Sequence, residues 1–185
     1  MHHPGLVILP THRILSGLKD LAVDRLRAAA EDHFTWQEFT GAEATSPRLV
    51  DRLNQVRCHA FGLWVRGTQS AFLLTLKDPR IMDRLAADHS KAWRSLDVAI
   101  LDRLLLKEIL PKAVASAGNL RLSYAHLAQD AFDAVHENSA DAAFLLRPLS
   151  IESLQAVTSA GERMPTKSTY FYPKAISGLV INPLD

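Results

Sequence analysis

Two apolar runs, His59-Ala-Phe-Gly-Leu-Trp-Val65 and Ser70-Ala-Phe-Leu-Leu-Thr-Leu76, flank the short connector Arg66-Gly-Thr-Gln69. Both are rich in aromatic and aliphatic side chains, and the glycine between them suits a tight chain reversal. This unit is a β-hairpin. An adjacent antiparallel pair breaks the strand–helix–strand rhythm of a doubly wound fold. The remaining helical and extended segments interleave without restoring that rhythm. The predicted class is therefore α+β, a single domain over residues 1–185 with a mixed or antiparallel sheet, the hairpin and several packed helices.

The other elements follow from periodicity and punctuation. Leu6 to Leu9 is a short strand closed by Pro10. Leu18, Leu21, Ala22, Arg25, Leu26 and Ala29 recur at helical steps, predicting a helix from Leu18 to Glu31. Phe34–Phe39 alternates like a strand. Ser46-Pro47 reads as an N-cap hydroxyl followed by a first-turn proline, opening a helix that turns Leu49, Val50, Leu53 and Val56 inward. Asp78-Pro79 opens another helix, to about Ala87. Leu96 to Leu110 is a strongly apolar helix limited by Pro111. Strands are predicted at Leu120–Tyr124, Ala142–Leu146, Tyr170–Tyr172 and Gly178–Ile181. Helices are predicted at Leu127–Glu137 and Ser150–Ser159, the last closed by Gly161.

Composition excludes several function classes. The net charge is +1, so no global field recruits nucleic acid or anionic lipid, and an anion site has to be local. No apolar run approaches the roughly 18 residues a bilayer demands, and the apolar stretch near the start is too short for a signal peptide. A cytoplasmic address follows by default. The lone Cys58 excludes an intramolecular disulfide and reads as a buried, inert thiol. His2 and His3 lack the further ligands that a zinc site takes, so no metal site is predicted.

The densest polar chemistry lies near the carboxyl end. Arg163, Lys167 and Lys174 stand with Ser168, Thr169, Tyr170 and Tyr172 between prolines and glycines. Gly161 followed by Thr166-Lys167-Ser168 approximates a phosphate loop but fails as one. A helix precedes it and extended chain follows, the reverse of that motif, and Pro165 has no N–H to offer. A different anion site remains: lysine and arginine bring charge, while hydroxyls and backbone N–H groups bring directional donors. The bland alternative is that the tyrosines fill core and the lysines are solvated. Thr11-His12-Arg13 forms a second polar cluster, with His12 an acid/base candidate or a local backbone partner. His126, beside Asp130, is a further candidate base or a helix cap. His59 and Asp97 read as structural, the latter as a helix-opening carboxylate.

Several segments resemble one family. Gly5-Leu-Val-Ile-Leu-Pro-Thr-His-Arg13, His59-Ala-Phe-Gly62, Leu96-Asp-Val-Ala-Ile-Leu101, Arg163-Met-Pro-Thr-Lys-Ser-Thr-Tyr-Phe-Tyr-Pro-Lys174 and Gly178-Leu-Val-Ile181 look like the C-terminal half of domain of unknown function 1015. The resemblance covers essentially the whole chain. It implies an N-terminal, ParB-like half with an Asp-Gly-His-His-Arg segment that does not occur here, and hence a truncated frame or fragment beginning at Met1. Some ParB-like proteins are phosphotransferases on free serine. The resemblance therefore implies phosphate chemistry, with a nucleotide and magnesium as cofactors of the full-length architecture.

Three readings follow. In the first, the chain is part of a phosphate-handling enzyme, with His12 or His126 in catalysis and Arg13, Arg163, Lys167, Ser168, Thr169, Tyr170 and Lys174 holding a small phosphorylated molecule. In the second, it is a structural or partner-binding module whose polar end packs on a missing N-terminal half or another copy of the chain. The third, ParB-like nucleic-acid binding, is disfavoured because duplex binding needs a broad basic face.

Overall fold

The computed structural model describes residues 7–115 and 120–174. The elements run β1 (Val7–Leu9), β2 (His12–Ser16), α1 (Val23–Ala30), β3 (Phe34–Phe39), α2 (Ser46–Gln55), β4 (Ala60–Val65), β5 (Ala71–Leu76), α3 (Ile81–Leu85), α4 (Lys91–Arg94) and α5 (Asp97–Ile100). A π-helical run, Leu101–Ile109, continues from α5 into α6 (Leu110–Ala113), followed by β6 (Arg121–Ala125), α7 (Ala128–His136), β7 (Ala142–Leu145), α8 (Ile151–Ser159) and β8 (Tyr170–Tyr172). The predicted strand at Gly178–Ile181 and the pair His2 and His3 lie outside the described residues.

The hairpin sits inside a six-stranded sheet of order β3-β5-β4-β7-β2-β6. Every neighbouring pair is antiparallel, with Gly62 opposite Leu73, Leu63 opposite Phe144 and Ile14 opposite Ala143. β1 and β8 form a separate antiparallel pair, Ile8 opposite Phe171. The fold is thus α+β with an antiparallel sheet, the narrower of the two expected arrangements.

The central strands are apolar throughout because both faces of the sheet are covered. Phe61, Leu63 and Val65 of β4, Phe72, Leu74 and Leu76 of β5, and Phe144 of β7 pack on one face. Leu26 of α1 joins them there, with Leu101, Leu104, Leu105 and Ile109 of the π-helical run. Trp64, Leu73, Ala143 and Leu145 point to the other face, where Leu49 and Leu53 of α2 meet Ala131 and Val135 of α7. Alternation within each strand thus feeds two cores rather than one core and solvent.

Gly62 lets α2 approach the second face. A Cβ at this position falls 2.9 Å from Leu49 Cδ2 and 3.1 Å from Leu145 Cβ. Gly62→Ala is expected to destabilise the protein by about 1–3 kcal/mol through overpacking. A urea unfolding midpoint unchanged from the parent contradicts this.

The structure departs from the sequence expectations at definite points. His12–Ser16 is a full sheet strand, not a polar cluster after one, and the helix expected from Leu18 begins at Val23. Leu18 is instead held by its N–H, which donates to buried Asp141 Oδ2 at 2.8 Å. Ser46 is the first residue of α2, not its cap; Thr45 occupies the extended capping position, and Pro47 lies in the first turn. The Leu96 helix does not end at Pro111. The Leu110 N–H reaches back to Leu105 O, and Pro111 stands at the junction of the π-helical run and α6, where it offers no N–H to the preceding turn yet the helix continues to Ala113. Cys58 is exposed, because β4 begins only at Ala60 and the residues before it lie at the sheet's end. Among the described residues no helix is long and apolar enough to cross a membrane.

Candidate functional site

Strand order brings one set of chain ends together. β2 and β4 both run antiparallel to the β7 between them, so the entries of β2 and β4 lie beside the exit of β7. The starts of α5 and α8 meet the same corner. A cavity of about 290 Å³ opens there. Thr11 and Arg13 line it from β2, Arg57, Cys58 and His59 from the approach to β4, and Arg147 and Ser150 from the exit of β7. Ser95 and Asp97 at the head of α5, Ser153 in the first turn of α8, and Ser168 complete its polar lining.

Arg13 is 2% exposed, a cation almost wholly inside the protein. Its Nη1 donates to Thr11 O at 2.6 Å and its Nη2 to Thr166 O at 3.4 Å, while Nε lies 3.5 Å from Asp102 on the π-helical run. Its guanidinium carbon lies 5.5 Å from the centre of the Tyr124 ring. Burial pulls the Arg13 proton affinity below its ordinary range, against the opposing charge of Asp102. Burial also raises the Asp102 pKa, with Arg13 working against the rise. Beside Arg13, Thr11 is 5% exposed and its Oγ1 has no hydrogen-bond partner among the described residues.

Across the cavity, one carboxylate organises two side chains. His59 Nδ1 lies 2.7 Å from Asp97 Oδ1. The second oxygen, Oδ2, accepts from Arg147 Nε at 3.2 Å and Nη2 at 2.9 Å. Arg147 is itself fixed: Nη1 donates to Val56 O at 2.7 Å and Nη2 to Cys58 O at 2.9 Å. An ionised carboxylate only accepts, so in the neutral ring Nδ1 carries the hydrogen and Nε2 is left as an acceptor. The exposed Arg57, also in the lining, has no ion pair among the described residues.

Of the residues singled out from sequence, Arg13 and Ser168 line this cavity. The Ser168 hydroxyl donates to Pro165 O. His12 is buried, and its Nδ1 accepts the Leu146 backbone N–H at 3.2 Å. Burial, then the neighbouring His126 and Arg13, lower its pKa to about 4, so it is neutral at pH 7. His126 Nδ1 pairs with Pro10 O at 3.0 Å rather than with Asp130, and its ring lies 3.7 Å from that of Tyr170. Lys167 places Nζ 6.0 Å from the Tyr124 ring centre, and Lys174 places its own 5.0 Å from that of Tyr170. Arg163 is exposed and Thr169 half-buried. None of these seven, Tyr170 included, lines the cavity. Lys167, Lys174, Tyr170 and His126 lie instead in a neighbouring set of ring contacts.

Sequence reasoning passed over Arg57 and Arg147, and read His59 and Asp97 as structural. The available signal was positional: each polar residue stands where an apolar strand or helix begins or ends. Which of those ends converge depends on the strand order. Among the described residues no three His, Cys, Asp or Glu side chains gather in a metal-holding group.

A family described as "Protein of unknown function (DUF1015)" matches residues 1–99. No curated protein matches the chain. Among solved structures, a free serine kinase in complex with AMP aligns at 15% identity over 90% of this chain and 54% of its own, with a TM-score of 0.46. A conserved hypothetical protein from Pyrococcus furiosus aligns at 14% identity over 91% and 57%, with a TM-score of 0.48. The chain thus spans little more than half the length of either structure.

Proposed function

Because the chain belongs to the DUF1015 family of unknown function, its chemistry has to be read from the cavity, and we propose that it binds a small phosphorylated molecule as one portion of a phosphate-handling enzyme. The observation that carries this reading is the Thr11 hydroxyl, buried, unpartnered and set beside a buried guanidinium on the cavity wall. A desolvated hydroxyl without a partner costs about 1–3 kcal/mol, which a ligand oxygen recovers. The N-terminus of the nine-residue α8 adds oriented N–H groups.

Size narrows the ligand. A volume of about 290 Å³ lies at the lower end of the ~300–1,000 Å³ range of ligand pockets, suiting a small phosphate ester better than a dinucleotide. Phosphoserine is the first ester to test, in keeping with the free-serine phosphotransfer implied by the family resemblance. A nucleotide belongs, in this proposal, to a longer architecture in which an N-terminal half or another copy of the chain extends the cleft. Among the described residues no group of three or more acidic, histidine or cysteine side chains gathers to hold the magnesium of that architecture.

A partner-binding role has one observation of its own. Leu122 and Tyr124 of edge strand β6 are exposed, as is Leu127 just after it, so this sheet edge presents apolar side chains to solvent. Nucleic-acid binding has no comparable support at a net charge of +1.

Thr11→Val separates ligand binding from stability. Removing a hydroxyl that has no protein partner leaves the melting temperature unchanged or slightly raised. Losing a hydrogen bond to a charged phosphate, about 1.5–3 kcal/mol, weakens binding of phosphoserine or inorganic phosphate at least ~10-fold. Phosphorus NMR titration reads the second effect. Equal affinities, or no binding by the parent chain, overturn the phosphate reading.

A further inference from the structure

We propose that His59 is the proton-transfer residue of this cavity, accepting the proton of the hydroxyl that attacks phosphorus. The proposal rests on the phosphate reading above and assigns the reacting group within it. Its basis is the chain of fixed contacts behind the imidazole. Asp97 Oδ1 stands 2.7 Å from Nδ1, and Arg147 grips Oδ2 while also tying down the carbonyls of Val56 and Cys58. Both Asp97 oxygens are therefore occupied, and the carboxylate is held in one orientation. A base needs this: its accepting nitrogen must be free, and the other must be fixed by an acceptor.

The remaining histidines near this corner lack that arrangement. The His12 Nδ1 is already consumed by the Leu146 N–H, and His126 is turned onto Pro10 O and the Tyr170 ring. His59 alone among these three lines the cavity, with its side chain 26% exposed. Asp97 acts through it as a positioning residue.

The step balances as follows. A phosphate monoester is the donor, and an alcohol or water is the acceptor. The acceptor oxygen forms a bond to phosphorus while the ester P–O bond breaks, and the departing oxygen keeps that electron pair. His59 Nε2 takes the acceptor's proton and later releases it to water, while the departing oxygen, on the opposite side of phosphorus, takes its proton from water. With water as acceptor, the products are inorganic phosphate and the free alcohol. Arg13 and the Thr11 hydroxyl stay on the phosphoryl oxygens throughout.

The test uses the full chain with O-phosphoserine in ¹⁸O-labelled water. Labelled inorganic phosphate is followed by its isotope shift in phosphorus NMR, and histidine ring nitrogens by long-range ¹H–¹⁵N spectra. His59→Asn keeps a side-chain amide to donate to Asp97 but has no counterpart of Nε2. It is expected to retain phosphoserine affinity within about threefold and to lose at least ~100-fold in turnover, the lower limit for general-base catalysis. Asp97→Asn is expected to retain binding, lower turnover, and abolish the single Nδ1–H tautomer of His59. A folded parent that binds phosphoserine but never turns it over, or a His59→Asn variant as fast as the parent, overturns the proton-transfer role and leaves the binding reading standing. A parent that fails to bind phosphoserine removes both.

Discussion

Acidifying the protein from pH 7 to pH 4 removes about 3 kcal/mol of unfolding free energy through His12 alone. The imidazole titrates near 6.5 when exposed but at about 4 in the folded chain, chiefly because burial penalises its charge. A folded-state pKa below the unfolded one means the unfolded chain binds the extra proton first. His12 thus contributes no penalty above about 6.5, and its penalty grows as pH falls from there to about 4. The interval of about 2.5 units, at 1.36 kcal/mol each, sets the magnitude. Asp102 acts in the opposite sense. Its carboxyl is raised by burial, so it gains a proton more readily when folded and offsets part of the loss at low pH.

His12→Asn isolates the effect. Its amide oxygen replaces the acceptor that Nδ1 offers to the Leu146 N–H, without a titrating ring. Urea unfolding at several pH values should show a variant whose stability is about 3 kcal/mol less sensitive to acid than the parent's. Identical acid sensitivity in the two proteins removes His12 as the cause.

The Arg13–Asp102 pair is expected to respond asymmetrically to loss of either partner. Arg13 is 2% exposed and Asp102 is 31% exposed, with Nε and the carboxylate 3.5 Å apart. Asp102→Asn leaves a buried guanidinium with only neutral acceptors, the carbonyls of Thr11 and Thr166 among them, and should cost about 3 kcal/mol. Arg13→Met removes the buried charge, fills similar space, and leaves a carboxylate that water reaches. Its cost should be smaller, about 1–2 kcal/mol. Phosphate affinity should follow the reverse order. Arg13→Met deletes the buried cation of the cavity, whereas Asp102→Asn removes a competitor for it. Denaturant midpoints and phosphate titrations on the same two variants check both orders. A severe folding defect in Arg13→Met beside a benign Asp102→Asn refutes this account of the pair.

The hairpin was legible because its signal is local: two apolar runs and a glycine turn set register without help from the rest of the chain. β3, α2, α7, β7 and β8 were legible for the same reason, as period-2 or helical patterns bounded by turn residues. β2 was not. His12 and Arg13 are buried inside it, and buried polar residues erase the apolar pattern by which a strand is recognised. The π-helical run also escaped notice, since its apolar spacing reads as an ordinary helix; the wider turn lies in the backbone bonding, as in the bond from Leu110 N–H to Leu105 O.

Arg13 and Ser168 were marked from sequence and line the cavity, whereas Arg163, Lys167 and Lys174 stand apart from it. Composition weighs the number of charges in a segment, whereas a cavity selects the few whose backbone positions converge. His59, Asp97 and Arg147 come from three separate stretches of chain, and no local pattern links them.

Residue spacing over a few turns was enough to specify the class of fold, the hairpin at its centre and the apolar content of the two cores. The order β4-β7-β2, and with it the corner where Thr11, Arg13, His59, Asp97 and Arg147 meet, emerges only once the strands are packed. Strand order is set by long-range packing on both sheet faces, and the candidate site is a consequence of that order.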